Sequence, residues 1–363
     1  MEQQRFVVLS ASMGAGHDAV AAELARRLRS AGHVVLVRDV LTLLPPGAGP
    51  ALRSFYRASV RHVPQLYAGI YSTFLSPAPG PRPGSQPLAA LAERRLLDVV
   101  RRCRADAVVS TFHLAAQITG RLRERGLLEI PCAVVVIDFA VHRGWLHPGN
   151  DLNLCVTESA AEAARRGTGR PAQAPGPVVA PEFGEAAQAP PAHWRTILDR
   201  RSPGRPAVLL SAGAWGVGTA LKSTALTLAH HGCLPVLLCG RDERLRHRAA
   251  GLPGVLALGW VGDMPGLMAA ARVLVDNAAG QTAVQALAAE LPVVGYRPLP
   301  GHGAEGVREM AAAGLSAYAD GPGELLSTVD RLVPPGPERN RRVMLGKSAF
   351  RTDAAEAITG LLG

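Results

Sequence analysis

The 363-residue sequence predicts an α/β protein of two domains, each a parallel sheet covered by helices. Three observations support this. Short uninterrupted apolar runs (FVVLS, AVVS, AVVVI, AVLL, VLV) alternate with longer helix-patterned segments, the pattern of strands buried on both faces. The alternation runs twice, on either side of a Pro-, Gly- and Ala-rich stretch at 167–192. Hydrophobic residues at 48% and charged residues at 19% supply a core large enough for two domains.

In order, the pattern predicts a strand at Phe6–Ser10, a helix at Asp18–Ser30 and a strand at Val34–Val40. The breaker LLPPGAGP precedes a helical stretch from Leu52 to about Phe74, which Pro64 and Gly69 divide. A second breaker cluster at Pro77–Pro87 leads to a helix over 88–102 and strands at Ala107–Ser110 and Ala133–Ile137. Beyond the 167–192 linker the expected strands are Ala207–Leu210, Pro235–Cys239, Val255–Leu258, Val273–Val275 and Val293–Gly295. Helices are expected over 219–231, 243–250, 264–271 and 281–289. The expected domains are therefore 1–166 and 193–338, with a cleft between them and a terminal helical segment, 339–363, returning toward the first.

The net charge is +10, and all but Lys222 and Lys347 of the 39 basic residues are arginine. Residues 1–180 carry 21 basic and 13 acidic side chains, whereas residues 181–363 carry 18 and 16. The excess therefore lies in the first half, which could face nucleic acid, an anionic membrane or an acidic substrate. No groove-reading motif favours nucleic acid, and none is expected as a partner. Five cysteines at 103, 132, 155, 233 and 239 form no CxxC pair, which fits a reducing compartment better than a disulfide framework. With no signal-like segment and no bilayer-spanning apolar run, the chain is expected to be cytoplasmic, with any membrane contact peripheral on the inner face of the plasma membrane.

Polar and glycine-rich segments recur where strands should give way to helices. In Ser12-Met13-Gly14-Ala15-Gly16-His17, Gly14 and Gly16 permit a tight turn and close ligand approach at a helix start. The same segment fits G-x-G-x-x-A, with Asp39 where a ribose-binding acid would sit, so a dinucleotide-dependent oxidoreductase competes here. His17 at a positive helix end is disfavoured as imidazolium, which suits a general base; a helix-capping histidine is the plainer alternative.

A second glycine turn, Ser211 to Gly218, holds Gly213, Trp215 and Gly216 and could receive phosphate or sugar. In Asp276-Asn277-Ala278-Ala279-Gly280-Gln281-Thr282, the amides of Gly280, Gln281 and Thr282 open a helix and suit a diphosphate, with Gln285 one turn on. His302 and Glu305, after the next strand, should gather at the same sheet edge.

The loop Asp138 to Pro148 carries His142, Trp145 and His147 and reads as an acceptor-contacting loop. Its two histidines lack a third ligand, so no metal is expected. Arg53, Arg57 and Arg61, spaced by four and interleaved with Phe55 and Tyr56, have the composition of an interfacial helix on anionic lipid; a surface helix with its apolar side in the core is the alternative.

Taken in order, SASMGAGH (10–17), VVSTFHLAAQ (108–117), VVVIDFAVHRGWLHPGNDLNLCVTE (134–158), VLALGWVGDMPGLMAAARVLV (255–275), GQTAVQALAAELPVV (280–294) and RPLPGHGAEG (297–306) resemble the monogalactosyldiacylglycerol synthase group of glycosyltransferases. A more distant similarity is to the N-acetylglucosaminyltransferase that makes the lipid-linked peptidoglycan precursor.

The resemblance implies a GT-B fold, two Rossmann-like domains facing a central cleft. It implies transfer from a UDP-sugar held by the second half to a hydroxyl of a lipid such as diacylglycerol, with inversion and with no cofactor or obligatory metal. His17 then matches the base, and Gly280 and Thr282 match the diphosphate-binding helix start. Gly259–Met264, with Trp260, Val261 and Met264, matches the loop holding the nucleobase, and Arg241 is available to the phosphates. Gly14, Gly16, Asp138, His142, Trp145 and His147 fall on the acceptor side, and Leu41–Phe74 matches the membrane-docking region.

Three positions depart from the family pattern: Ala278-Ala279-Gly280 replaces Pro-Gly-Gly, Gln285 replaces a ribose-gripping Glu, and Gly303 replaces a polar sugar contact. A soluble hydroxylated small molecule is the alternative acceptor.

Overall fold

A computed structural model describes residues 3–75 and 86–362. The chain divides into two compact units, residues 1–178 with 350–363, and residues 179–349. Most of the Pro77–Pro87 breaker cluster lies outside the described residues.

The first unit opens with β1 (Arg5–Ser10), α1 (Ala15–Ser30) and β2 (Val34–Asp39). A 3₁₀ turn (Val40–Leu43) leads to α2 (Ala48–His62), α3 (Pro64–Ile70) and a π-turn at Tyr71–Leu75. Then come α4 (Gln86–Cys103), β3 (Ala107–Ser110), α5 (His113–Glu124), β4 (Cys132–Val136), β5 (Leu152–Cys155), α6 (Glu158–Thr168) and the two-residue β6 (Ala172–Gln173). All six strands are parallel, in the order β2-β1-β3-β4-β5-β6.

Strand alternation sends successive residues to opposite faces of this sheet. Phe6, Val8 and Val109 pack under Leu24 and Leu28 of α1, while Val7, Leu9 and Val108 pack under Leu96 of α4 and Ile118 of α5. Both faces are dry, which is why these strands read as continuous apolar runs.

The second unit begins with α7 (Glu182–Gln188) and α8 (Ala192–Arg201). It continues through β7 (Ala207–Ser211), α9 (Leu221–His230), β8 (Leu234–Leu238), α10 (Glu243–Ala250), β9 (Leu256–Leu258) and α11 (Met264–Ala270). The remainder is β10 (Val273–Asp276), α12 (Gln281–Ala288), β11 (Val293–Tyr296), α13 (His302–Ala312), β12 (Ala317–Ala319), α14 (Pro322–Leu332) and α15 (Pro337–Ser348). Its strands are also all parallel, in the order β12-β11-β10-β7-β8-β9.

Two short elements occupy the Pro/Gly/Ala-rich stretch expected to be a linker. β6 extends the first sheet, with Ala172 opposite Asn153, and α7 buries Phe183 in the second unit. The crossing point is Val178–Val179. At the other end, α16 (Ala354–Thr359) returns to the first unit, where Ala354, Ala355 and Ile358 join the core beneath α1. Arg27 of α1 pairs with Asp353 at 3.1 Å, ahead of that helix.

Strand order reverses once in each sheet, between β1 and β3 in the first and between β7 and β10 in the second. In open α/β sheets a crevice forms at such a point, beyond the strands' carboxyl ends. The glycine turns of the sequence lie at these two points.

Candidate active site

At the first reversal the chain leaves β1 through Gly14, whose φ of +151° is open to glycine and places it as the N-cap of α1. Gly16 is the second residue of that helix and His17 lies in its first turn. The Ser10 hydroxyl, at the end of β1, donates to Asp18 Oδ1 at 2.6 Å and ties the strand to the helix start.

His17 Nδ1 is 2.8 Å from the carbonyl oxygen of Thr111, just past β3. A carbonyl only accepts, so this contact puts the proton on Nδ1 and leaves Nε2 with its lone pair. The ring packs edge-on against Phe112, with centroids 4.9 Å apart, and lies 6.2 Å from the ring of Trp145. Burial holds the imidazole pKa below the ordinary value, and the nearby Asp138 charge opposes that only in part. His17 is therefore a neutral imidazole at neutral pH with its basic nitrogen defined.

The loop after β4 supplies the neighbours. Asp138 Oδ2 accepts the Trp145 Nε1–H at 2.7 Å and lies 3.5 Å from His142 Nε2. His142 Nδ1 accepts the Gly144 amide at 3.1 Å, so in the neutral ring the proton sits on Nε2, facing Asp138. Trp145 is completely buried, and the carboxylate gives its indole N–H the partner that burial demands. His113, Phe112 and Thr111 complete the group; none was singled out from the sequence.

His147 is placed elsewhere. It is buried against Gly120 of α5, where an added Cβ would lie 2.3 Å from its ring, and its Nδ1 accepts the Gly149 amide at 3.1 Å. Burial pushes its pKa down as well. It secures the loop to α5 rather than joining the His17 group.

Asp39 closes β2, but its carboxylate is engaged locally. Oδ1 accepts the Leu41 amide at 2.9 Å and Oδ2 pairs with Arg53 at 2.9 Å. Arg53 thus turns toward the body of the unit. Tyr56 also turns inward, its ring 5.3 Å from that of buried Tyr67, and burial raises its phenol pKa to about 12. Ser59 and Val60 of α2 are buried as well, while Arg57 is exposed, Arg61 is half-buried, and Phe55, Val63 (between the two helices) and Leu66 are exposed by 52%, 48% and 48%. Among the described residues no helix is long and apolar enough to cross a membrane.

At the second reversal the turn after β7 holds Gly213 and Gly216 at φ +62° and +67°, with half-buried Trp215 between them. A Cβ on Gly216 would meet Asp242 Cβ at 2.5 Å, and one on Gly218 would meet the Asn277 amide at 2.7 Å. These close approaches let three loops interlock. Asn277 Nδ2 donates to the Val217 carbonyl at 3.2 Å, and the Asn277 carbonyl accepts the Leu299 amide at 2.8 Å.

Asp276 is buried and accepts the amides of Ala278 and Ala279 at 2.9 and 2.6 Å. Burial raises its pKa, against the lowering effect of these donors. The turn throws Ala279 into the left-handed region (φ +49°), a conformation that glycine adopts at less strain. Gly280 then caps α12, whose first-turn amides point outward with half-buried Gln281 and Thr282; Gln285 follows one turn along.

The start of α13 carries His302 and Glu305 toward the same edge. Gly303 lies close to this turn: a Cβ would be 3.1 Å from Leu299 Cβ and 3.4 Å from the Asn277 carbonyl. Farther along the edge, the Arg241 guanidinium stacks on Trp260 at 4.3 Å, and Trp260 is 53% exposed. Val261 is half-buried beside it, and Asp263 caps α11 ahead of Met264 through the Gly266 amide at 3.0 Å.

The chain is similar to known proteins. The family model described as monogalactosyldiacylglycerol (MGDG) synthase matches residues 17–175. A processive diacylglycerol beta-glucosyltransferase of Staphylococcus epidermidis is 22% identical over 361 residues, covering 95% of this chain and 88% of that protein. One of the same description from Bacillus subtilis is 24% identical over 251 residues, covering 67% and 64%. Among solved structures, MurG of Acinetobacter baumannii superposes with a TM-score of 0.58 at 15% identity over 99% of each chain. The glycosyltransferase SnogD of Streptomyces nogalater gives 0.61 at 18% identity over 100% of each.

Two parallel sheets with their glycine turns at the reversal points thus make a GT-B glycosyltransferase. Within that class the chain is similar to the monogalactosyldiacylglycerol synthase group, whose family model matches its residues 17–175, and to the processive diacylglycerol beta-glucosyltransferases. The oxidoreductase alternative loses its footing with Asp39, which is taken up by Leu41 and Arg53.

Proposed function

We propose that this enzyme transfers a hexose from a UDP-sugar to the free hydroxyl of a diacylglycerol-type lipid, with inversion and with no metal ion, at the cytoplasmic surface of a membrane. The observation that carries the proposal is the fixed tautomer of His17, whose Nε2 lone pair is left available by the Thr111 carbonyl. The named activities of the staphylococcal and Bacillus relatives, both processive diacylglycerol beta-glucosyltransferases, support the lipid acceptor.

The first unit receives the acceptor. His17 Nε2 takes the hydroxyl proton as the oxygen attacks the anomeric carbon, and the bond from that carbon to the diphosphate breaks with its electron pair. Trp145, His142 and Asp138 border that attack, with Gly14 and Gly16 leaving room for the acceptor.

The second unit holds the donor. The α12 start at Gly280–Thr282 faces the departing diphosphate, and preorganised amides stabilise such charge without reorganisation. Gly213, Trp215, Gly216, His302 and Glu305 surround sugar and phosphates. Gln285 contacts the ribose, and Trp260, Val261 and Met264 hold the base, with Arg241 within reach of the phosphates. Phe55, Arg57 and Arg61 face anionic lipid, with Arg53 and Tyr56 supporting the helix from within.

Calorimetric titration with UDP, TDP, GDP, ADP and NAD tests the donor assignment. UDP should bind best, Gln285 notwithstanding. Preference for another nucleoside diphosphate would move the donor class, and binding of NAD alone would overturn the reading.

A further inference from the structure

Three loops of the second unit fasten to one another at the carboxyl ends of β7, β10 and β11. The turn after β10 holds the one after β7 through Asn277 Nδ2, which donates to the Val217 carbonyl at 3.2 Å. Beyond β11, the Leu299 amide donates to the Asn277 carbonyl at 2.8 Å. Arg297, the first residue past β11, closes the ring. One guanidinium nitrogen donates to the Ser223 hydroxyl at 3.1 Å and lies 3.4 Å from the Thr224 hydroxyl, both in the first turn of α9. That helix follows the β7 turn, so the chain of contacts returns to its origin.

The backbone at this link is strained. Among the described residues, five other than glycine have positive φ, and three of them lie in these loops: Ala220 (+52°), Ala279 (+49°) and Arg297 (+48°). Glycine or asparagine takes this conformation at less cost, so an arginine there has to be held by its side chain. The guanidinium stacks 5.0 Å from the ring of buried Tyr296, and the Ser223 hydroxyl that it grips donates in turn to the Ala220 carbonyl at 2.9 Å. The Thr219 hydroxyl also lies 3.5 Å from the Arg297 carbonyl. Two strained residues of different loops are thus coupled through one serine hydroxyl. Strain of this kind persists only where the surrounding contacts over-determine it.

We propose that Arg297 is a positioning residue for the donor: its grip on α9 sets the spacing between the Ser211–Gly218 turn and the 297–301 segment. With the Ala278–Gly280 turn, those two segments wall the nucleotide-sugar site, and the second leads through Gly301 into α13 with His302 and Glu305. This rests on the donor reading above. Arg297 acts before the chemistry, by keeping three loops at the separation that sugar and diphosphate require. Once seated, the donor bridges the same loops and restores their spacing, so binding should feel the loss of Arg297 more than turnover does.

The test is Arg297→Gly in the full chain, read by UDP titration calorimetry, thermal unfolding and donor kinetics. Glycine accepts this φ without strain, and that relief offsets the lost guanidinium contacts, so the variant should melt within about 3 °C of the parent. UDP should nevertheless bind about tenfold more weakly, the scale of one hydrogen bond to a charged group. KM for the UDP-sugar should rise by about the same factor while kcat stays within about twofold. Ser223→Ala, which leaves the strained backbone in place, should weaken UDP binding about threefold and add nothing measurable in the Arg297→Gly background.

Arg297→Asn, which also tolerates positive φ, is the second variant should Arg297→Gly fail to fold. A variant that melts and binds UDP like the parent overturns the proposal. So does one that loses affinity only together with its melting temperature, or one that loses kcat at unchanged KM. If the parent itself does not bind UDP, the donor reading fails and takes this role with it, a result distinct from an unaltered variant.

Discussion

Gly240→Ala is a stringent perturbation of the second unit, because the residue packs on the backbone of the turn after β7. Gly240 follows β8 at φ +58°, where a side chain is strained by roughly 1–2 kcal/mol. A Cβ there would lie 2.4 Å from the Gly213 carbonyl oxygen and 2.6 Å from that of Ala214. Those are backbone atoms of the first donor turn and cannot rotate away. Relieving such a contact by backbone shift typically costs ~1–3 kcal/mol.

Together the two effects give about 2–5 kcal/mol. For a unit of this size that corresponds to a loss of roughly 4–20 °C in its melting transition. The displaced loop also carries the Arg241 amide, which donates to the Ala214 carbonyl at 2.9 Å, so Arg241 and Trp260 should shift with it. Calorimetric unfolding should show the loss, and UDP titration should show weakened binding. A variant that melts like the parent and binds UDP equally well would refute the close-packing argument for this turn.

Two further outcomes are expected. Replacing Phe55 by Ser together with Arg57 by Gln should lower co-sedimentation with anionic vesicles at least tenfold. The half-exposed ring offers ~100 Å² of apolar surface, at most ~2.5 kcal/mol if fully inserted, and the arginine's share should fade as salt rises; unchanged sedimentation at low salt would remove the lipid role of α2. Burial lowers the pKa of both His17 and His147, so the unfolded chain binds more protons as pH falls through the ordinary histidine value toward the folded one. Stability should therefore be complete above about pH 7 and decline toward pH 5. His147→Asn should flatten part of that decline in urea unfolding, and an unaltered slope would show that His147 is not protonated on unfolding.

Most sheet strands and the second-unit helices at 219–231, 243–250, 264–271 and 281–289 were legible because buried parallel strands leave apolar runs and helices leave caps; α7, α8, α13, α14 and β12 were not read. The strand Ala107–Ser110 and the helix at 243–250 were readable to the residue. Short β5 and β6 were not, since four and two residues carry too little periodicity. Thr111 escaped notice for a different reason: it acts on His17 through its carbonyl, which every residue possesses.

The stripe at Arg53, Arg57 and Arg61 had the right spacing, but spacing does not fix rotation about the helix axis. The nearby Asp39 turned Arg53 inward, and Tyr56 followed the buried side. His142 and His147 looked equivalent in sequence, yet Gly120 leaves a socket that takes only the second. Gly303, read as a missing sugar contact, lies at the start of α13 close to Leu299 and the Asn277 carbonyl.

The most direct test of the account is a transfer assay with UDP-glucose and UDP-galactose on diacylglycerol vesicles, comparing the parent with His17→Ala. A β-linked glycolipid from one of the donors, no product from the variant, and equal UDP affinity for both proteins are expected. Persistent transfer by His17→Ala, or an α-linked product, would contradict it.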